Sequence, residues 1–139
     1  KRMKKMDIKV KRLNSNAILP TRAHNSDAGL DLYFNGDTDR GRAVGLHTGI
    51  AVDIPDGYVG LIWPRSGLTV KTGYDTLAGV IDAGYHGEII VLCDRSFRAK
   101  QGDKIAQLVI VPCVNGGVVE VQDFDDSERG DNGFGSTGK

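Results

Sequence analysis

Gly49-Ile-Ala-Val-Asp-Ile-Pro-Asp-Gly-Tyr-Val-Gly-Leu-Ile-Trp63 holds two short apolar runs, 49–54 and 58–63, parted by Pro55-Asp56-Gly57. Both runs are rich in Ile and Val, are too short for a helix, and are bounded by glycine or proline, which is the pattern of buried strands. Asp56-Gly57 is a strong turn signal because glycine accepts the positive φ that tight turns require, so the pair predicts a hairpin tip. The same grammar recurs outward from this stretch. Residues 7–13 alternate Ile8, Val10 and Arg12 against Lys9, Lys11 and Leu13, and further strands are predicted over 29–34, 88–94, 104–111 and 118–121. Asn35-Gly36 and Asn115-Gly116 add turn signals. The 19 glycines are about twice the average usage and are spread along the chain, as in a turn-rich fold. No long stretch keeps a 3.6-residue period, and the spacing predicts one short helix over Ser66–Thr72. Many short strands at regular spacing predict an all-β sandwich or barrel.

The 139 residues fit a single domain without internal repeat or boundary, and a chain of this size buries roughly two-thirds of its unfolded surface. Eighteen basic residues balance 18 acidic ones, so net charge gives no ground for a nucleic-acid or membrane partner. The charges are uneven: Lys1, Arg2, Lys4, Lys5, Lys9, Lys11 and Arg12 crowd the start, and Asp123, Asp125, Asp126, Glu128 and Asp131 crowd the end. The start, with 1–6 as a flexible basic segment, reads either as a solvated tail or as a localisation or nucleic-acid patch. No apolar run approaches the roughly 18 residues of a membrane span. The basic N-terminus lacks the apolar stretch of a secretory signal. Cys93 and Cys113 lack metal-ligand spacing and are expected as buried free thiols in a reducing, cytoplasmic compartment. Without a Cys or His cluster, the sequence argues against zinc. His24, His47 and His86 lie in turn-like sequence and are expected at the surface.

Five segments carry candidate chemistry. The tail, Arg129-Gly-Asp-Asn-Gly-Phe134-Gly-Ser-Thr-Gly-Lys139, combines glycines that let backbone N–H groups converge on an anion with the donors Arg129, Ser136 and Thr137. Phe134 has no apolar neighbours there. The tail is either a disordered end with an incidental aromatic or an arm that orders on a ligand, with Phe134 stacking on a planar base. Trp63-Pro64-Arg65-Ser66-Gly67-Leu68 ends a strand and opens the helix. It reads as a Ser N-cap beside a surface Arg, or as a phosphate site at a helix N-terminus. Gly79-Val80-Ile81-Asp82-Ala83-Gly84-Tyr85-His86-Gly87-Glu88 reads as a tight hairpin. Its Asp82 is an ordinary turn residue or a partly desolvated proton acceptor, and its Tyr85 packs on the sheet or against a sugar face that leaves no room for a 2′-hydroxyl. Asp31, alternating with Leu30 and Leu32, points away from the core, as an exposed strand carboxylate or one that holds a hydrated Mg²⁺. Gln107 interrupts the apolar run Gly102-Asp-Lys-Ile-Ala-Gln-Leu108, as a satisfied sheet residue or a substrate-facing amide.

Taken in order, AGLDLY from Ala28, PRSGL from Pro64, GVIDAGYHGE from Gly79, GDKIAQL from Gly102 and RGDNGFGSTG from Arg129 closely resemble the five motifs of the trimeric dUTPase family. The resemblance runs from about Asp7 to the end of the chain. It implies a jelly-roll-like β domain in a three-fold homotrimer, with active sites at subunit interfaces and the arm 129–139 of one chain closing over a neighbour's pocket. It implies Mg²⁺-assisted hydrolysis of dUTP to dUMP and pyrophosphate, which keeps uracil out of DNA and supplies dUMP for thymidylate synthesis. By the same resemblance Asp82 is the base that activates the attacking water, and Tyr85 excludes ribose. The backbone of Gly79, Val80 and Ile81 reads uracil. Arg65, Ser66, Gly67 and Gln107 hold the phosphates, and Asp31 positions Mg²⁺ through water. Phe134, with Gly135 beside it, stacks over uracil, while Arg129, Ser136 and Thr137 clamp the outer phosphates.

The chain departs from the family pattern at three places. Thr76 stands where many bacterial members have Asn, Asn132 replaces a common glycine, and the loop Asp94-Arg95-Ser96-Phe97 is short. Two rival readings share the fold. A dCTP deaminase places a catalytic Glu on the strand after the hairpin, where this chain has Cys93 in Glu88-Ile-Ile-Val-Leu-Cys93. A nucleotide-binding regulatory module has no need of an intact Asp82.

Overall fold

The computed structural model describes residues 6–135. Among these, the chain forms β1 (Lys9–Arg12), β2 (Leu30–Tyr33), β3 (Thr38–Arg40), β4 (Val44–His47), β5 (Ile50–Asp53), β6 (Tyr58–Trp63), α1 (Ser66–Thr72), β7 (Thr76–Ala78), β8 (Val80–Ile81), β9 (Ile90–Cys93) and β10 (Lys104–Pro112). Every strand pairing is antiparallel. Two four-stranded sheets, β2-β10-β6-β8 and β3-β4-β9-β7, are joined by a two-stranded ribbon, β1-β5. One core unites them. Leu32, Ile62, Ile105 and Leu108 come from the first sheet, Val44, Leu46, Val91 and Cys93 from the second, and Ile50, Val52 and Ile54 from the ribbon and its exit. Burying each such side chain stabilises by roughly 1.5–3 kcal/mol. No helix of the described residues is long and apolar enough to cross a membrane.

The all-β class, the helix Ser66–Thr72 and the strand Tyr58–Trp63 match the sequence-based expectation. The hairpin at Asp56-Gly57 does not. A turn is there, with the Tyr58 amide donating to the Pro55 carbonyl at 3.1 Å and Gly57 at φ 83°. The flanking strands part, however, with β5 pairing β1 and β6 pairing β10 and β8. Pro55 has no N–H to give a ladder, and the fully buried Ile54 directs the chain across the core into the other sheet. The strand expected over 118–121 is also absent: those residues are exposed and unpaired, because the chain past Pro112 leaves the body and meets no strand of its own. The strands β3, β4 and β7 went unread, and β8 was expected only as an arm of the hairpin over 79–88, not as a partner of β6. They are two to four residues long, and β4 is buried at three successive positions, so no alternation marks it. Cys93 is buried as expected, but Cys113 is exposed just beyond β10. His24 and His86 are exposed, whereas His47 is drawn in between two carboxylates.

Candidate active site

Strand register builds the first part of the site. Gln107 on β10 lies opposite Asp31 on β2 and opposite Trp63 on β6, so the three side chains form a row across the sheet. Their neighbours Leu32, Ala106 and Leu108 turn into the core. Pro64 ends β6, and Arg65 takes the N-cap of α1 in extended conformation (φ −92°, ψ 131°). From there its Nε donates to Asp31 Oδ1 at 3.1 Å. Lys104 Nζ reaches the other oxygen, Oδ2, at 3.3 Å. Gln107 Nε2 donates to the Pro64 carbonyl at 2.9 Å and so ties β10 to the entry of the helix. Gly29 makes this possible, since a Cβ there would collide with the Gln107 amide. The result is an open groove of about 350 Å³ lined by Asp27, Gly29, Asp31, Arg65 and Gln107.

The helix entry has no side-chain cap. Ser66 is therefore not the N-cap, and its exposed hydroxyl, with the first-turn N–H groups of Ser66, Gly67 and Leu68, faces outward beside Arg65. This arrangement of N–H groups, hydroxyl and guanidinium suits a phosphate.

Lys104 was missed by sequence reasoning. Strict alternation from Gln107 puts it on the opposite face. A register shift between Lys104 and Ala106 breaks that alternation, so Ile105 and Ala106 are both buried and Lys104 swings to Asp31.

The segment 79–88 forms the second part. Gly79 is where the chain changes sheets, with β7 pairing β9 before it and β8 pairing β6 after it. The Gly79 carbonyl accepts from Ile62 N–H at 2.7 Å, and a Cβ at Gly79 would sit 2.6 Å from the Ile62 carbonyl oxygen. Only glycine permits that approach. The tight hairpin expected over 79–88 is therefore not formed: β7 and β9 pair at the base, and β8 peels away to β6 as an edge strand whose outer backbone groups have no partner strand among the described residues. Beyond it, Tyr85 N–H donates to the Asp82 carbonyl at 3.1 Å, with Gly84 at φ 82° completing the turn. Tyr85 Oη donates to the Glu88 carbonyl at 2.9 Å. Asp82 is exposed, so the desolvation expected from its sequence position is not supplied by its own chain.

These two parts do not meet within one chain. The β6-β8 register runs Gly60 opposite Ile81, which sets Asp82 beyond the Val59 end of β6, while Gln107 lies opposite Trp63. Val59 and Trp63 are about 13 Å apart at the usual rise per residue, and β6 and β10 lie side by side between β8 and β2.

Among the described residues the tail joins neither part. Arg129 Nε donates to the Asn132 carbonyl at 2.9 Å, curling the chain at Gly130 (φ 57°). Phe134 is fully exposed, as are Val114, Val118 and Phe124 before it. Gly135 is exposed at the end of the described chain, and Ser136 and Thr137 lie outside the described residues.

Mg²⁺ has a fitting but incomplete donor set here. Among the described residues no three His, Cys, Asp or Glu side chains converge as metal ligands. Asp31, with 15% of its side chain exposed, offers one carboxylate at the groove beside cationic groups. That suits an ion brought with phosphate oxygens and bridged through water, the habit of Mg²⁺, and not an all-protein cage.

The dUTPase family model matches residues 15–138. The chain is 41% identical over 145 residues to the deoxyuridine 5′-triphosphate nucleotidohydrolase of Clostridium tetani, covering 99% of this chain and 100% of that one. It is 45% identical to the protein of that name from Arabidopsis thaliana, covering 94% and 82%. Among solved structures, a mutant of the Staphylococcus bacteriophage 80alpha dUTPase with dUpNHpp superposes with a TM-score of 0.83 at 31% identity, covering 96% and 99%. A mutant dUTPase of phage phi11, described for its coordination of a structural Mg(II) ion, superposes at 0.76 with 31% identity, covering 86% and 99%. With four of the five motifs on the two parts described and the fifth in the exposed tail, this chain belongs to the dUTPase family.

Proposed function

We propose that this chain hydrolyses dUTP to dUMP and pyrophosphate at sites completed where three copies meet. The observation that carries the reading is the division of the site. The phosphate-binding groove of Asp31, Arg65 and Gln107 and the Asp82–Tyr85 turn are both well formed, yet they lie at opposite ends of β6. The described part of the arm, with Arg129 and Phe134, lies exposed and reaches neither. One copy supplies the groove, a second the turn, and a third the arm.

In the assembled site Arg65, Ser66, Gly67 and Gln107 hold the triphosphate. The open edge of β8 offers its N–H and C=O groups to uracil. The Tyr85 ring lies against deoxyribose and fills the space of a 2′-hydroxyl. Asp82, covered by the neighbouring copy, takes a proton from water as the water oxygen bonds to the α-phosphorus and the bond to pyrophosphate breaks. Arg65 and Ser66, with Arg129, Ser136 and Thr137 of the arm, meet the charge that gathers on the leaving group. Phe134 closes over the base and excludes water. Asp31 would hold Mg²⁺ through water, and the ion would supply positive charge at the phosphate oxygens.

The test is pyrophosphate release with Mg²⁺ from dUTP, dCTP, dTTP and UTP in parallel. Release from dUTP alone, abolished by EDTA, is the expected result. Ammonia from dCTP, or tight dUTP binding without turnover, would overturn the reading.

A further inference from the structure

The Tyr85 ring is held from the far end of its own turn. Its hydroxyl rests on the Glu88 carbonyl, and Gly87 lacks the Cβ that would stand 2.6 Å from the ring carbon Cζ. Ring position therefore follows the Glu88 peptide. That peptide is held by its own Ile89 N–H, which donates to the Ile50 carbonyl at 2.9 Å, and Glu88 is braced again through its side chain, whose Oε2 accepts from Gly49 N–H at 2.8 Å and whose Oε1 meets His47 Nδ1 at 2.9 Å. Next to it, the buried Thr48 hydroxyl donates to the Ile89 carbonyl at 2.6 Å. His47 Nε2 meets Asp39 Oδ2 at 2.7 Å. The His47 and Glu88 side chains are only 19% and 24% exposed, whereas that of Asp39 is 70% exposed. The half of the arrangement more shielded from water is thus the inner one, between His47 and Glu88.

We infer that His47 is a positioning residue for sugar selectivity: its Nδ1 hydrogen bond to the Glu88 carboxylate steadies the residue on whose carbonyl the Tyr85 hydroxyl rests. The inference depends on the reading of Tyr85 as the group that excludes ribose. His47 touches no substrate, and it acts only through Glu88. Loss of the Nδ1 donor leaves the Glu88 carboxylate tethered by Gly49 alone, so Glu88 and the ring resting on it gain freedom and the space beside the sugar opens.

Two substitutions separate this role from general support of the fold. Asn at position 47 keeps a donor near Nδ1 and loses the contact to Asp39. Gln keeps a donor near Nε2 and loses the contact to Glu88. The experiment measures kcat/KM for dUTP and UTP in the full-length wild type, His47→Asn, His47→Gln and Tyr85→Ala. His47→Asn should keep the wild-type dUTP/UTP ratio. His47→Gln should lower it roughly tenfold, through a gain on UTP. Tyr85→Ala should relax it as well. An unchanged ratio in His47→Gln, or equal relaxation by His47→Asn and His47→Gln, overturns the inference while Tyr85→Ala leaves the Tyr85 reading standing. An unchanged ratio in Tyr85→Ala overturns both.

Discussion

At Tyr74 the core encloses a hydroxyl that it does not satisfy. The ring packs on Phe97 with centroids 4.2 Å apart and planes tilted by 41°, and the oxygen is buried without a hydrogen-bond partner. The Cys93 thiol is its polar neighbour, but no bond of acceptable geometry joins them. Burial pushes the Tyr74 phenol well above its ordinary value of 10.0 and raises the Cys93 thiol too, so both stay neutral and serve as apolar filling. Tyr74→Phe should therefore be neutral or stabilising by up to about 1 kcal/mol in urea denaturation, and a loss of about 2 kcal/mol would mean that the hydroxyl has a partner. His47 makes a different prediction. Burial opposes its protonation, but hydrogen bonds to Asp39 and Glu88 prevail, and its pKa lies above the ordinary 6.5. A group whose folded-state pKa is raised contributes its full stability below the unfolded value and loses it as pH rises through the folded one. The stability gap between wild type and His47→Gln should thus be wider near pH 6 than near pH 9. A gap that is constant across that range would mean that the two carboxylates do not bias the ring.

Elements change course where side chains are missing. Gly79 allows one short segment to serve two sheets, and the edge strand it creates is what the proposed base recognition uses. Gly79→Ala would press Cβ against the Ile62 backbone. β6 is held by β10 over six paired positions and has little room to yield. The expected cost is about 1–3 kcal/mol in thermal or urea unfolding, with a further loss of turnover as Asp82 and Tyr85 shift. Gly29→Ala strains the site differently. Its Cβ would meet the end of a flexible side chain, so Gln107 would leave Pro64 and vacate the groove. KM for dUTP should rise about tenfold, with little change in unfolding midpoint. A large loss of stability without a change in KM would mean that Gln107 serves only the fold.

The whole molecule leaves much of its apolar surface without cover. From Val114 to Phe124 the chain exposes Val114, Val118, Val119, Val121 and Phe124 along an extended segment. Side chains of this kind in a run call for a surface to lie on. Light scattering should give the mass of three chains. Deletion of 130–139 should abolish turnover and leave that mass unchanged. Deletion from 114 onward also removes these five side chains, and should shift the assembly toward smaller species. An intact three-chain mass after the longer deletion would show that the segment is peripheral to association.

The sequence by itself determined the all-β class, the span of the helix 66–72, the strand 58–63 and the five ordered segments that mark the family. All of these are written in contiguous residues: turn glycines, apolar runs, and side chains whose donors, acceptors and charge are intrinsic. Tertiary structure alone decided that 49–54 and 58–63 enter different structures and that 118–121 finds no strand. It also decided that a register shift delivers Lys104 to Asp31 and that His47 comes inside between Asp39 and Glu88. It set Asp82 far from Arg65, a separation that the order of motifs along the chain does not reveal. Each of these outcomes is a choice among partners distant in sequence. The pattern of one segment shows that it seeks a partner, but the partner is selected by the packing of the whole core.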